Sequence, residues 1–129
     1  MEVKEIKKNF AVNFFSTLEL TKLYIKTRKN KQGKVIIISS LAGVYPIAFL
    51  GSYCASKASL SIMTRTLHKE IKNTNLNIKI KLIEPGAYHT GFNQIMIENK
   101  EILNNDIFNE PIEKIVEKQK RIFSIIEKK

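Results

Sequence analysis

The sequence predicts an α/β protein with a parallel sheet, and two observations carry this prediction. Apolar side chains recur at three- and four-residue steps over the first part of the chain, which is the periodicity of a helix. The later run from Val35 to Ile38 is apolar without interruption, as in a strand that is covered on both faces and has no reason to alternate. Helices and strands are expected to alternate through one domain over residues 1–129.

The first helix is predicted over residues 2–29 and ends before Gly33. Its apolar stripe consists of Val3, Ile6, Phe10, Phe14, Leu18, Thr21 and Ile25. The first strand is predicted over residues 34–39, with both faces buried. Three turn-forming residues then break the chain into a loop: Gly43, Pro46 and Gly51.

The second helix is predicted over residues 52–72, with Ser52 as its N-cap. Small side chains occupy its first turns and would let it pack closely against a neighbour. They are Ala55, Ser56, Ala58 and Ser59.

A second strand is predicted over residues 77–84, where isoleucine and leucine alternate with lysine, so that one face is exposed. A Pro-Gly pair ends it, and a loop is expected over residues 85–93. Helices are expected over residues 94–128, the last of them clearly amphipathic and entered through Pro111 in its first turn.

Four polar side chains stand at fixed separations along these elements. Asn13, Ser40, Tyr53 and Lys57 lie 27, 13 and 4 positions apart. A tyrosine is a poor base, with an ordinary pKa of ~10, and an ammonium group held close to it would favour the phenolate. Because Tyr53 and Lys57 are four residues apart, they share one face of a helix. The spacing therefore indicates a proton-handling site.

Each of these residues could instead have a structural role and no part in proton transfer. Lys57 alone could be a solvated helix residue, and Asn13 could be a solvent-facing or locally bonded asparagine. Tyr53 could be a half-buried aromatic at a helix start. Ser39 competes with Ser40 at the end of the strand, and the 13-residue separation from Tyr53 favours Ser40.

Four further side chains that could take part in chemistry give weaker sequence signals. Glu84 follows a strand without an evident partner, so no chemistry is assigned to it. His89 in the Pro-Gly loop could contact a substrate or be an ordinary exposed histidine. His68 and Cys54 are interpreted as structural. Because His, Cys and acidic residues lack the spacing of metal ligands, no metal site is predicted.

The ordered motifs resemble the short-chain dehydrogenase/reductase family over about Phe10 to Phe92. The segments that carry the likeness are Gly33 to Gly43, Tyr53-Cys54-Ala55-Ser56-Lys57-Ala58 and Ile83-Glu84-Pro85-Gly86. The resemblance implies the catalytic half of a Rossmann-like, doubly wound parallel sheet. It also implies an NAD- or NADP-dependent oxidoreductase that interconverts an alcohol and a carbonyl.

The same resemblance implies a role for each site residue. Tyr53 would pass a proton to or from the substrate oxygen, while Lys57 would lower the pKa of the tyrosine and bind the nicotinamide ribose. Ser40 would hydrogen-bond the substrate oxygen. Asn13 would hold the backbone and a water that lets protons reach Lys57. The loop residues that would touch the nicotinamide carboxamide are Pro85, Gly86 and Thr90.

A dinucleotide-binding fold opens with a glycine-rich turn that holds the pyrophosphate, and this sequence has no such turn. Its glycines are Gly33, Gly43, Gly51, Gly86 and Gly91, and no two have the G-x-G spacing. We therefore expect a partial fold without the first βαβ units, either truncated or completed by a partner. Such a chain would self-associate through its open strand edge.

Composition restricts the other classes of function. An apolar content of 43% is that of a globular protein, and no apolar run is long enough to span a membrane. One cysteine excludes an internal disulfide and favours a cytoplasmic protein. The net charge of +10 comes from lysines spread over the chain without an aromatic-basic stripe, so nucleic-acid binding is not expected.

Three functional hypotheses follow from these observations. The first is the alcohol–carbonyl oxidoreductase, which we favour for the origin of the chain. The second, favoured for the activity of the chain alone, is an inactive remnant that cannot bind a cofactor. The third is a basic nucleic-acid-binding protein. The family resemblance also implies a homo-oligomer that pairs through helices 10–28 and 52–72.

Overall fold

A computed structural model describes residues 3–88 and 112–126 of the chain. The chain begins with helix α1 (Val3–Phe10), a single π-helical turn (Ala11–Phe15) and helix α2 (Ser16–Thr27). The sequence predicted a long helix over residues 2–29, and the described residues from Val3 to Thr27 are helical throughout, with the π turn between two α-helical segments. A π turn holds an extra residue and changes the direction of the side chains around it, and Asn13 lies at its centre.

Strands β1 (Gly33–Ile38) and β2 (Ile78–Ile83) form a two-stranded parallel sheet. Parallel neighbours require a crossover connection, which a 3-10 turn (Leu41–Gly43) and helix α3 (Gly51–Lys72) provide. The predicted α/β class with a parallel sheet is confirmed by this arrangement.

One face of the sheet is covered by helices. Ile71 of α3 and Ile78 and Ile80 of β2 are buried together there, and Ile25 of α2 packs against them. Because every second residue of a strand points to the same face, Ile37 of β1 is buried while its neighbours in sequence are not.

The opposite face of the sheet is exposed in the part of the chain that the structure describes. Ile36, Ile38 and Ile83 keep 50%, 60% and 47% of their surface. The prediction that the first strand is covered on both faces is therefore wrong for these residues. An unbroken apolar run shows that both faces of a strand are apolar, but the cover itself must come from other elements.

A second apolar cluster joins helix α4 (Ile112–Ile126) to the start of α3. Phe123 is buried against Leu50, and half-buried apolar side chains surround this contact. Residues 94–111 and 127–128 of the predicted carboxyl-terminal helices lie outside the described residues, as do residues 89–93 of the predicted loop.

The start of α3 differs from the sequence prediction. Its N-cap is Leu50, without a side-chain bond, so Ser52 lies inside the first turn and the prediction that Ser52 caps the helix is wrong. The Ser52 hydroxyl instead accepts a hydrogen bond from Asn9 Nδ2 at 3.0 Å. The Ser52 side-chain oxygen therefore forms a tertiary contact with α1 and does not cap α3.

Within the described residues, no helix combines the length and the apolar character that crossing a bilayer requires.

Candidate active site

Three of the four predicted site residues meet beyond the carboxyl end of β1. Ser40 follows this strand, and Tyr53 and Lys57 lie in the first two turns of α3. Asn13, in the π turn, contacts α3 at Ser56. In open parallel sheets, ligands bind outside the carboxyl ends of the strands. The crossover from β1 into α3 thus places residues that are distant in sequence at a position suited to ligand binding.

Ser40 is held in place by the turn that it begins. Its hydroxyl oxygen accepts a hydrogen bond from the Ala42 amide at 3.1 Å and so caps the 3-10 turn. The same side chain hydrogen-bonds the phenol of Tyr53. Ser40 therefore joins the end of β1 to the predicted proton-handling tyrosine.

The Ser39 hydroxyl makes two hydrogen bonds to α3 and is buried. It donates to the Lys57 carbonyl at 2.9 Å and accepts from the Ser61 hydroxyl at 2.8 Å. These contacts tie the strand to the interior side of α3. The geometry supports Ser40, and not Ser39, as the serine that faces Tyr53.

Burial controls the proton affinity of the tyrosine. Removal from water raises the pKa of the Tyr53 phenol above its ordinary value of 10.0, the Ser40 hydrogen bond opposes this increase, and the Cys54 thiol adds to it. The family resemblance implied that Lys57 lowers this pKa. The structure shows the opposite net direction, and Lys57 is not among the causes.

The orientation of Lys57 explains this difference. Its ammonium donates to the Ile38 carbonyl at 3.3 Å and lies 5.8 Å from the centroid of the Tyr53 ring. Burial also lowers the pKa of Lys57, because its charged form loses water. The ammonium is thus positioned beside the ring, with a backbone carbonyl as its direct hydrogen-bond partner.

Asn13 reaches α3 through a second serine. Asn13 Nδ2 donates to the Ser56 hydroxyl at 3.1 Å, and this hydroxyl donates to the Tyr53 carbonyl at 2.8 Å. Asn9 and Ser52 make the equivalent contact one turn earlier. Ser56 is fully buried and was not predicted as a site residue. The matching four-residue spacing of Asn9 and Asn13 with Ser52 and Ser56 was the sequence signal for this contact.

Gly43 allows the turn after β1 to lie directly on α3. A β-carbon at this position would be 2.7 Å from the Lys57 carbonyl carbon and 2.8 Å from its oxygen. Only a residue without a side chain permits this approach. The close contact sets the distance between the turn that carries Ser40 and the helix that carries Tyr53 and Lys57.

The loop after β2 is attached to the same turn. The Ser39 amide donates to the Ile83 carbonyl at 2.8 Å, and the Leu41 amide donates to the Pro85 carbonyl at 2.9 Å. Pro85 and Gly86 therefore lie beside the residues that follow Ser40. Thr90 and His89, the other loop residues considered in the sequence, lie outside the described residues.

Glu84 has a partner that the sequence did not reveal. Arg65 Nη2 donates to both oxygens of the Glu84 carboxylate, at 3.0 and 2.7 Å. The expectation that Glu84 stands alone is wrong, because α3 folds back over the sheet and brings a residue 19 positions away to the end of β2.

Two other side chains serve the packing of the fold. His68 Nδ1 lies 3.0 Å from the Ile80 carbonyl, and Cys54 contributes to the cluster around Leu50. Among the residues described, no three His, Cys, Asp or Glu side chains are grouped as metal ligands would be.

The Tyr53 hydroxyl and the Lys57 ammonium are half-buried groups with hydrogens to donate, and they lie four residues apart on one side of α3. An open groove of about 1090 Å³ lies at the other end of the strands and is lined by Arg28, Lys34, Lys72, Lys79 and Lys81 among others. None of the predicted site residues that the structure describes lines it.

The fold and the site define an α/β protein with a tyrosine–lysine pair beyond the carboxyl end of a parallel strand. The family model described as short chain dehydrogenase matches residues 1–101. The chain belongs to the short-chain dehydrogenase family, whose members are oxidoreductases that generally use NAD or NADP.

Known proteins show the extent of the likeness. The probable short-chain type dehydrogenase/reductase VdlC of Helicobacter pylori is 38% identical over 100 residues, which are 77% of this chain and 36% of that protein. A solved short-chain dehydrogenase from Streptomyces avermitilis is 30% identical with a TM-score of 0.62, over 71% of this chain and 34% of the other. The chain thus spans about a third of each.

A third comparison supports the fold alone. A 7α-hydroxysteroid dehydrogenase, solved with NADH and 7-oxo glycochenodeoxycholic acid, has a TM-score of 0.62 and 23% identity, over 76% of this chain and 42% of that one.

Proposed function

We propose that this chain carries the proton-transfer site of an NAD- or NADP-dependent oxidoreductase that interconverts a small-molecule alcohol and a carbonyl. The observation that carries the proposal is the hydrogen bond between the Tyr53 phenol and the Ser40 hydroxyl, with the Lys57 ammonium 5.8 Å from the Tyr53 ring. Membership of a family of oxidoreductases supports the same reaction class.

The cofactor, when bound, would supply the hydride that reduces a carbonyl carbon. Ser40 would hold the carbonyl oxygen through its hydroxyl, which already lies next to the phenol. Tyr53 would donate its proton to that oxygen as it becomes an alcohol, and general acid catalysis of this kind accelerates reactions by about 10²–10⁴. In the reverse direction, Tyr53 would accept the proton of the alcohol.

The protonation state of Tyr53 sets how the rate of each direction depends on pH. Because burial raises the pKa of its phenol, the protonated form that donates to a carbonyl oxygen is retained to higher pH than in an ordinary tyrosine. Alcohol oxidation needs the phenolate and should increase with rising pH.

Lys57, Pro85 and Gly86 would hold the nicotinamide end of the cofactor, together with Thr90. Lys57 would donate to the ribose, and Asn13 would maintain the distance between α3 and the π turn through Ser56. The proposed setting is the cytoplasm, which the single cysteine supports. The proposed assembly is a homo-oligomer through helices 10–28 and 52–72.

Cofactor titration and a carbonyl-reduction assay test the proposal. Saturable binding of NADH or NADPH is expected, and Tyr53→Phe should reduce the turnover of an aldehyde or ketone panel by about 10²–10⁴ without loss of binding. Tyr45→Phe, which changes an exposed tyrosine, is the matched control and should retain full activity.

Two outcomes would count against this function. Undiminished turnover in Tyr53→Phe would remove the role of the tyrosine. A folded chain that binds neither nucleotide would instead support the second candidate, a chain that keeps the site residues without cofactor-dependent activity.

A further inference from the structure

Helix α3 carries a polar stripe that continues beyond the tyrosine–lysine pair. Tyr53, Lys57, Ser61 and Arg65 recur every four residues, so they lie along one side of the helix. Each of them bonds to the carboxyl end of the sheet or to the residues that follow it. The partners are, in order, Ser40, the Ile38 carbonyl, the Ser39 hydroxyl and the Glu84 carboxylate.

Glu84 occupies a particular position in this arrangement. Ile78, Ile80 and Leu82 alternate along β2 on the side that packs on helices, and Glu84 continues this row by two residues. Its side chain is 20% exposed, so its carboxylate needs a partner, and Arg65 supplies one with contacts to both oxygens.

The backbone on either side of Glu84 is bonded to the turn after β1. The Ile83 carbonyl accepts from the Ser39 amide, and the Pro85 carbonyl accepts from the Leu41 amide. Glu84 is therefore attached to α3 through its side chain, while its neighbours are attached to the residues around Ser40. The ion pair thus anchors the start of the Pro85-Gly86 loop to the helix that carries Tyr53 and Lys57.

We propose that Arg65 and Glu84 are a positioning pair that holds the Pro85-Gly86 loop at the correct distance from Tyr53 and Lys57 for binding the nicotinamide end of the cofactor. This proposal rests on the proposed oxidoreductase function. Neither residue touches the reacting atoms, and both act through the loop.

Hydrogen exchange measures the positioning without any cofactor. Arg65→Met and Glu84→Gln should each accelerate exchange of the Leu41 amide about threefold to fivefold, because the Pro85 carbonyl that protects it loses its anchor. The Gly33 amide, bonded to the Asn77 carbonyl at the other end of the sheet, should be unchanged.

Nucleotide binding measures the functional consequence. Both variants of the full chain should raise the dissociation constant for the preferred nucleotide, NADH or NADPH, by about threefold to fivefold, the factor expected for the loss of a half-exposed ion pair. The double variant with Arg65→Glu and Glu84→Arg should restore both the affinity and the slow exchange of Leu41. Lys22→Met, which breaks the exposed Glu19–Lys22 pair on α2, is the matched control and should alter neither.

The results separate the two proposals. Unchanged Leu41 exchange in Arg65→Met would overturn the positioning role, as would an affinity loss that the charge-reversed double variant does not restore. A wild-type chain that binds neither nucleotide would contradict the proposed function, and the exchange data would then still decide whether the ion pair holds the loop.

Discussion

At the scale of single residues, two adjacent serines have different tasks. The Ser40 hydroxyl faces the Tyr53 phenol, whereas Ser39 is bonded to Ser61 and to the Lys57 carbonyl. Successive residues of extended chain point to opposite sides, so the last residues of one strand can serve both the packing of α3 and the chemistry in front of it.

Alanine substitutions should separate these tasks. Ser40→Ala removes the hydrogen bond that lowers the pKa of Tyr53, so this pKa should rise further, as followed by the ultraviolet absorbance of tyrosinate against a Tyr53→Phe blank. Ser39→Ala should leave the titration in place and cost about 1–3 kcal/mol of stability in urea unfolding, because it leaves buried partners unsatisfied. The reverse pattern would contradict the assignment.

The raised pKa of Tyr53 also predicts a stability change at alkaline pH. Because the folded-state pKa lies above the unfolded value of about 10, the folded chain holds this proton more tightly. The associated stability is fully present below that value and is lost as pH rises from there through the folded pKa.

Urea unfolding of the wild type and of Tyr53→Phe, followed across this alkaline range, measures the effect. The wild type should lose stability relative to the variant as the pH increases. Parallel curves for the two proteins would show that the phenol titrates alike in both states.

At the scale of elements, a close approach sets the geometry of the site. The 3-10 turn lies so near α3 that only glycine fits at position 43, and the π turn brings Asn13 to Ser56 from the other side. Helix α3 is thus held by contacts on two sides over the turns that carry Tyr53 and Lys57.

Gly43→Ala should separate the turn from the helix. The added methyl would meet backbone atoms at 2.7–2.9 Å, and we expect a loss of about 1–3 kcal/mol in thermal or urea unfolding. In Gly86→Ala the nearest atom would be a flexible leucine carbon at 3.5 Å, so this control should have little effect on stability. Equal stability of the two variants would contradict the close-contact argument.

At the scale of the whole molecule, the described residues leave apolar side chains exposed on the sheet and on two helices. Ile36, Ile38 and Ile83 are exposed on the open sheet face, Leu20 and Leu23 on α2, and Ile62 and Met63 on α3. Exposed apolar surface favours association. The helix residues fall within the helices that the family resemblance assigns to a homo-oligomer.

Sedimentation velocity should show self-association of the chain, and paired variants identify the surface. Leu23→Lys with Ile62→Lys should dissociate a helix-mediated oligomer, whereas Ile36→Thr with Ile38→Thr should act only if the sheet face is used. We expect the first pair to have the larger effect. A monomeric wild-type chain with a cooperative melt would contradict both associations.

The sequence by itself determined the α/β class and the family, and it predicted the set Asn13, Ser40, Tyr53 and Lys57, because hydrophobic periodicity and motif spacing are local properties of a chain. Tertiary structure decided what depends on distant neighbours. The direction of the Tyr53 pKa shift follows from burial, and the partner of Glu84 follows from the crossover that returns α3 over the sheet. The exposed face of β1 likewise depends on whether other elements cover it, which an apolar run alone cannot specify.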